Sequence, residues 1–318
     1  MVSGYKHINP YTLPKDSNSY GVSHPNESIL AMTEDTIHST WGDWLVSEIE
    51  QTSPDGVSIW YLGCNGFVVR SATTTLYIDP YFADASPPGL VRMIPVPMNP
   101  IDATECDGVL TTHEHIDHMH PPSYGPLLDD GGMLYAPSAC YESADYHGDL
   151  RVNEDQREVI AAGDSFTVGD FKVHVRGAND SDAIEPVSYV IEHDTGTFFH
   201  GGDSKPAAEF EAIGDEFDID LGVLAIGTVG RVYHEAENET RSTKWYMTTS
   251  ESVEAANALQ LDRFLPSHYD MWKGVLDDPK SLHEDAASFE YPRSLEIVRI
   301  GDRVDLDSTG VVPPSSHR

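Results

Sequence analysis

The chain has 318 residues, with 53 Asp and Glu against 19 Lys and Arg and a formal net charge of -34. So acidic a surface repels phosphate backbones and anionic lipid headgroups, which excludes nucleic acid and membrane surfaces as partners and leaves a small-molecule substrate. Three scattered cysteines, Cys64, Cys106 and Cys140, cannot build a disulfide scaffold, and there is neither a secretory leader nor an apolar run near 18 residues, so a reducing cytoplasm is expected.

Residues 1–37, rich in Ser, Asn, Pro and Tyr, read as an irregular arm. From Ser39 to Ile49 the apolar residues Trp41, Trp44, Leu45 and Ile49 recur at helical spacing and predict a short amphipathic helix with its tryptophans in the core. Three strand-like runs follow, Val57–Leu62, Phe67–Arg70 and Thr75–Ile78, separated by turn sequences as in a β-meander. Another strand is expected at Gly108–Thr112, then a helix at Pro121–Leu128, a strand at Met133–Ala136 and a helix at Ser138–Tyr146. A second strand set is predicted at Ser165–Val168, Phe171–Arg176, Val187–His193, Thr197–His200 and Leu221–Ile226. A polar loop (Gly227–Trp245), a helix (Ser250–Leu261), a strand (Phe264–Pro266), a helix (Ser281–Phe289) and a closing hairpin (Leu295–Ile300 with Arg303–Leu306) complete the reading. Two strand-rich halves with helices between them imply two facing sheets with helices outside.

The densest chemical signal is Thr111-Thr112-His113-Glu114-His115-Ile116-Asp117-His118. In extended backbone His113, His115 and Asp117 alternate to one side, and a turn at the strand end brings in His118. Imidazole and carboxylate with no adjacent thiolate suit Zn²⁺, Mn²⁺ or Fe²⁺. Two further strand ends carry donors: Asp203 follows Gly201 and Gly202, which permit close backbone approach, and His268 follows Pro266-Ser267. Asp79 closes the strand Leu76-Tyr77-Ile78. Cys64, in the turn Gly63-Cys64-Asn65-Gly66, has no adjacent base and reads as a small buried residue.

The ordered set HxHxDH, then Gly-Asp, then a strand-end histidine resembles the metallo-β-lactamase superfamily. That resemblance implies an α/β, four-layer αββα sandwich in which Asp79 orients a ligating histidine. The stretches Trp41-Gly-Asp-Trp-Leu45, Glu48-Ile-Glu-Gln51, Trp60-Tyr-Leu-Gly-Cys-Asn-Gly66 and Ser267-His-Tyr-Asp-Met-Trp272 are similar to the L-ascorbate-6-phosphate lactonase family, manganese-dependent hydrolases of that fold. The likeness spans most of residues 39–280. Where many superfamily members have a third-motif histidine, this chain reads Val173-His174-Val175-Arg176-Gly177-Ala178-Asn179-Asp180. Asp180 is matched to an aspartate of the lactonase family and His174 is read as structural, a change that enriches the site in oxygen and favours manganese over zinc. The loop over 230–245 departs from the family pattern and offers Arg231, Arg241 and Lys244 as phosphate contacts.

The resemblance implies a catalytic domain over residues 53–312, preceded by an arm and helix (1–52) and followed by a disordered tail (313–318). One or two cations, Mn²⁺ or Zn²⁺, would be held by His113, His115, Asp117, His118, Asp180, Asp203 and His268, with Asp203 bridging. A metal-generated hydroxide would attack a lactone, and Asp117 would also orient it or move its proton, so loss of Asp117 or His115 is expected to abolish turnover. A phosphodiesterase on the same scaffold and a metal-binding protein without turnover are the alternatives. The arm suggests a homo-oligomer, and the carboxylate excess suggests a halophilic cytoplasm, where salt near 1 M shortens the Debye length to about 3 Å.

Overall fold

The computed structural model describes residues 37–83, 91–142, 149–234 and 238–306. The expected arm before residue 37 and the tail at 313–318 lie outside the described residues. A first sheet has the strand order β16-β1-β2-β3-β4-β5-β6. Its strands are β1 (Val57–Gly63), β2 (Gly66–Arg70), β3 (Thr75–Ile78), β4 (Gly108–Leu110), β5 (Met133–Ala136), β6 (Arg157–Val159) and β16 (Arg303–Leu306). The second sheet runs β15-β14-β11-β10-β9-β8-β7. It comprises β7 (Ser165–Val168), β8 (Phe171–Gly177), β9 (Val187–His193), β10 (Gly196–His200), β11 (Leu221–Ala225), β14 (Arg263–Ser267) and β15 (Ser294–Leu295).

Alternation along the strands divides the core into layers. In β1, Val57, Ile59 and Tyr61 point between the sheets, where they meet Val173, Val175, Tyr189, Ile191, Phe198 and Val223. Trp60 and Leu62 point outward, to helix α1 (Trp44–Gln51) and to Tyr124 of α2 (Pro121–Tyr124). The outer face of the second sheet, with Val190, Phe199, Leu224 and Phe264, is covered by α4 (Glu209–Glu216), α5 (Thr249–Ala258) and Leu282 of α6 (Leu282–Ala286). A further short helix, α3 (Ser138–Glu142), follows β5. The result is the expected αββα sandwich, with strands buried on both faces reading as near-continuous apolar runs. Among the described residues no helix is long and apolar enough to cross a membrane.

Several local readings are corrected. Helix α1 begins at Trp44, not Ser39, and presents Leu45, Val46 and Ile49 to the core; Trp44 is 55% exposed and Trp41 only half-buried. The two indoles instead meet edge-on, with ring centroids 6.0 Å apart. The segments read as a closing hairpin separate: β15 pairs in parallel with β14, while β16 pairs antiparallel with β1 in the other sheet. The polar loop at 227–245 contains a two-stranded hairpin, β12 (Gly230–His234) with β13 (Glu239–Thr243). Its exposed strand β13 has too few apolar residues to show the period-two pattern that marks a half-buried strand.

Candidate metal centre

The strand ends that carry the sequence motifs converge on one edge of the sandwich. Asp79 follows β3, the 111–118 segment follows β4, Asp180 follows β8, Asp203 follows β10 and His268 follows β14. The histidine segment is not extended. The amides of His118 and Met119 both bond to the His115 carbonyl, at 3.0 and 2.8 Å, and this turn fans the donors apart. His113 and His115 therefore join Asp180 and Asp203 in one group, whereas Asp117 joins His268 and Cys64 in another. His118 forms a third group with Asp203 and His268. All seven side chains proposed as ligands are thus brought together, and Asp203 stands between the groups.

The distances describe how Asp203 sits. Its Oδ2 lies 3.2 Å from His118 Nε2 and 4.0 Å from His113 Nε2, and its Oδ1 lies 3.6 Å from His268 Nε2. Asp180 Oδ2 is 3.9 Å from His113 Nε2 and 3.8 Å from His115 Nδ1. Asp117 Oδ2 is 3.4 Å from His268 Nε2, and Asp117 Oδ1 is 3.9 Å from His118 Nε2. Only the His115 side chain, 36% exposed, reaches solvent appreciably.

Asp79 is buried and organises this arrangement. Its carboxylate accepts the Thr112 amide at 2.8 Å and the Thr112 hydroxyl at 2.7 Å, and it accepts His118 Nδ1–H at 2.8 Å. A carboxylate only accepts, so His118 carries its proton on Nδ1 and turns the Nε2 lone pair toward Asp203. The Thr112 oxygen, its own hydrogen given to Asp79, accepts His113 Nδ1–H at 2.9 Å, which leaves the His113 Nε2 lone pair to accept His115 Nδ1–H at 2.9 Å. His118 Nε2 is fully buried and has no hydrogen-bond partner. His118 Nε2 and Asp203 Oδ2 therefore need a positive charge between them in this dry site, which a proton on Nε2 supplies or a cation in its place would supply. Four buried carboxylates among buried imidazoles fit the same divalent-cation chemistry.

The charges are strongly interdependent. Burial alone would lower His118, but the carboxylates of Asp203, Asp79 and Asp117 outweigh it and hold the imidazole well above its ordinary range. Burial would likewise raise Asp117, yet His118 and His268 hold its carboxyl well below the usual range. Asp180 is raised by burial and by the Asp203 charge, against the opposing Lys205 ammonium 3.2 Å away.

Other residues hold the site without having been singled out for it. Asn65 donates to Asp203 Oδ1 at 3.2 Å and accepts the Ser267 hydroxyl at 2.7 Å. His200 Nε2–H donates to the Asn65 carbonyl at 3.0 Å, and His200 Nδ1 accepts the Gly202 amide at 3.3 Å, which ties the β1–β2 turn to the turn before Asp203. Gly202 has φ +56°, and a Cβ there would lie 3.1–3.3 Å from the Thr112 side chain. The Trp272 indole N–H donates to Asp117 Oδ2 at 3.1 Å, and the Tyr246 ring stacks on His268 with centroids 4.2 Å apart. Cys64 was read as a bland buried residue. It is buried, but its Sγ lies 3.4 Å from His268 Nε2 and 3.6 Å from Asp117 Oδ2. Burial and the charges of Asp117 and Asp203 push its thiol well up. The motif Trp60–Gly66 contained both Cys64 and Asn65, but nothing local in it shows that the turn folds over the donors.

His174 stays outside the cluster, bonded to Ser165 at 3.0 Å and Glu192 at 2.6 Å. Arg231 is exposed on β12 and Arg241 on β13, while Lys244 is paired with Glu251 at 2.6 Å.

Residues 74–269 match the beta-lactamase superfamily domain. The protein named probable L-ascorbate-6-phosphate lactonase UlaG from Escherichia fergusonii is 25% identical, with 76% of this chain and 78% of that protein aligned. Among solved structures, the metallo hydrolase Igni18 from Ignicoccus hospitalis superposes with a TM-score of 0.58 at 18% identity, covering 78% of this chain and 97% of that one. A possible metal-dependent hydrolase from Veillonella parvula gives 0.61 at 12% identity, covering 79% and 99%. The chain belongs to the beta-lactamase superfamily and shares the fold of these solved metallo-hydrolases.

Proposed function

We propose that the chain hydrolyses a lactone, most directly a sugar-phosphate lactone, at a centre for two divalent cations. The observation that carries this reading is the buried ring of imidazoles around the Asp203 carboxylate, with the unpartnered His118 Nε2 at 3.2 Å, His268 Nε2 at 3.6 Å and His113 Nε2 at 4.0 Å. In this reading His113, His115 and Asp180 would hold one cation, Asp117, His118 and His268 would hold the other, and Asp203 would serve both. Mn²⁺ or Zn²⁺ bound there would lower the pKa of water and polarise a carbonyl. The lactonase named among the relatives directs the choice of substrate.

The remaining work falls to this chain's own side chains. Asp79 and Thr112 fix the two imidazole tautomers, and Asn65 fixes the rotation of Asp203. Asp117, kept ionised by the imidazoles around it and anchored by the Trp272 indole, orients the attacking water and accepts its proton. His115, the exposed member, marks the side from which substrate arrives. Arg231 and Arg241 on the hairpin are the proposed phosphate contacts, and Lys244 would have to exchange Glu251 for the ligand to join them. Hydrolysis of L-ascorbate-6-phosphate by Mn²⁺-loaded protein tests the reading, with Asp117→Asn as the blank. Turnover above the blank is expected. Equal rates in parent and variant would refute the assignment of Asp117.

A further inference from the structure

Cys64 is held, not merely near, the donors. The turn places it at φ +58°, a left-handed conformation that side chains other than glycine adopt at a cost. Five hydrogen bonds keep it there, the first from the Tyr61 hydroxyl to the Cys64 carbonyl at 3.1 Å. The His268 amide donates to the Cys64 carbonyl at 2.9 Å. Asn65, the next residue, donates to Asp203 at 3.2 Å, accepts from Ser267 at 2.7 Å and receives His200 Nε2–H at 3.0 Å. Sγ therefore points at His268 Nε2 and Asp117 Oδ2 from a fixed backbone, at 3.4 and 3.6 Å. With metal–sulfur bonds of about 2.3 Å and metal–nitrogen or –oxygen bonds of about 2.0 Å, neighbouring sulfur and nitrogen or oxygen ligands stand about 3.0 to 3.5 Å apart. An independent pointer to a cation beside these donors is His118 Nε2, fully buried and without a hydrogen-bond partner, which stands 3.9 Å from Asp117 Oδ1 and shares His268 with the Cys64 group, although it clusters with Asp203 and not with Cys64.

The geometry points to Cys64 as a thiolate ligand of the cation that Asp117 and His268 would hold. This rests on the metal reading proposed above and adds an asymmetry to it. The position built from His113, His115, Asp180 and Asp203 has only nitrogen and oxygen donors and suits Mn²⁺. The position with Cys64 has sulfur and suits Zn²⁺ or Co²⁺. As the cation arrives, the S–H bond breaks, a metal–sulfur bond forms and the proton passes to solvent. Cys106 and Cys140 lie among the apolar side chains outside the first sheet and belong to no donor group among the described residues.

Loading the full chain with Co²⁺ tests this by absorption and metal analysis together. A thiolate-to-cobalt charge-transfer band in the near ultraviolet is expected in the parent and in Cys106→Ser. In Cys64→Ser the band should disappear while visible cobalt bands and bound cobalt remain. Zinc-edge X-ray absorption on the zinc-loaded parent, which needs no variant, should show a sulfur neighbour at about 2.3 Å. Bound metal with neither the band nor the sulfur neighbour would overturn the thiolate and leave the metal reading intact, and so would a band that survives Cys64→Ser. A parent that binds no cobalt or zinc would overturn both.

Discussion

Replacing Asp79 by Asn changes one atom's character and little else. Asn tolerates the left-handed backbone that Asp79 adopts at φ +44°, and its side-chain carbonyl can still accept the Thr112 amide. The amide group, however, falls where Oδ2 now accepts from both the Thr112 hydroxyl and His118 Nδ1, at 2.7 and 2.8 Å. Two donors then meet a third. The Thr112 hydroxyl can rotate away, but His118 can relieve the conflict only by moving its proton to Nε2, the atom that faces Asp203 at 3.2 Å. The lone pair offered to a cation is lost. Changes to groups that orient a metal-binding imidazole typically lower affinity about 10- to 100-fold, which corresponds to about 1.4–2.8 kcal/mol. Competition against a chromogenic chelator measures this directly, with a thermal melt to show that the variant is folded. Affinity within about threefold of the parent in a cooperatively folded variant would refute the tautomer argument.

Two other predictions address stability. Thr248 caps α5, with its hydroxyl accepting the Glu251 amide at 3.3 Å while Glu251 bonds back to the Thr248 amide at 2.9 Å; Thr248→Ala should cost about 1 kcal/mol in denaturant unfolding, and an unchanged midpoint would contradict the capping assignment. The net charge of -34 should make the melting temperature rise between 0.1 and 2 M KCl as self-repulsion is screened, and a flat response would remove the basis for a high-salt setting.

The layered fold was legible because its strands are buried on both faces: runs such as Val57–Leu62 and Leu221–Ile226 announce themselves by composition. What failed was pairing. Nothing local in Leu295 or Val304 distinguishes two strands of one hairpin from edge strands of different sheets, since the outcome depends on partners β14 and β1, far away in sequence. Strand β6 and helix α4 went unread for a related reason. The exposed pattern of Arg157–Val159 and the two apolar anchors of α4, Phe210 and Ile213, are weak signals that gain meaning only in the packed sheet. The donors in the histidine segment were visible by type, but the period-two argument misplaced Asp117 because two amides share the His115 carbonyl and turn the chain. Cys64 and Asn65 act on the site from the turn after β1 and His200 from β10, and no spacing rule reports a contact made across two sheets.

The account turns on Asp203 standing between two cation positions. Counting bound metal per chain after equilibrium dialysis, in the parent and in Asp203→Asn, tests that most directly. The parent should hold two divalent ions, and the folded variant should lose at least one of them along with hydrolysis. Two ions retained by Asp203→Asn with undiminished affinity, or none held by the parent, would contradict it.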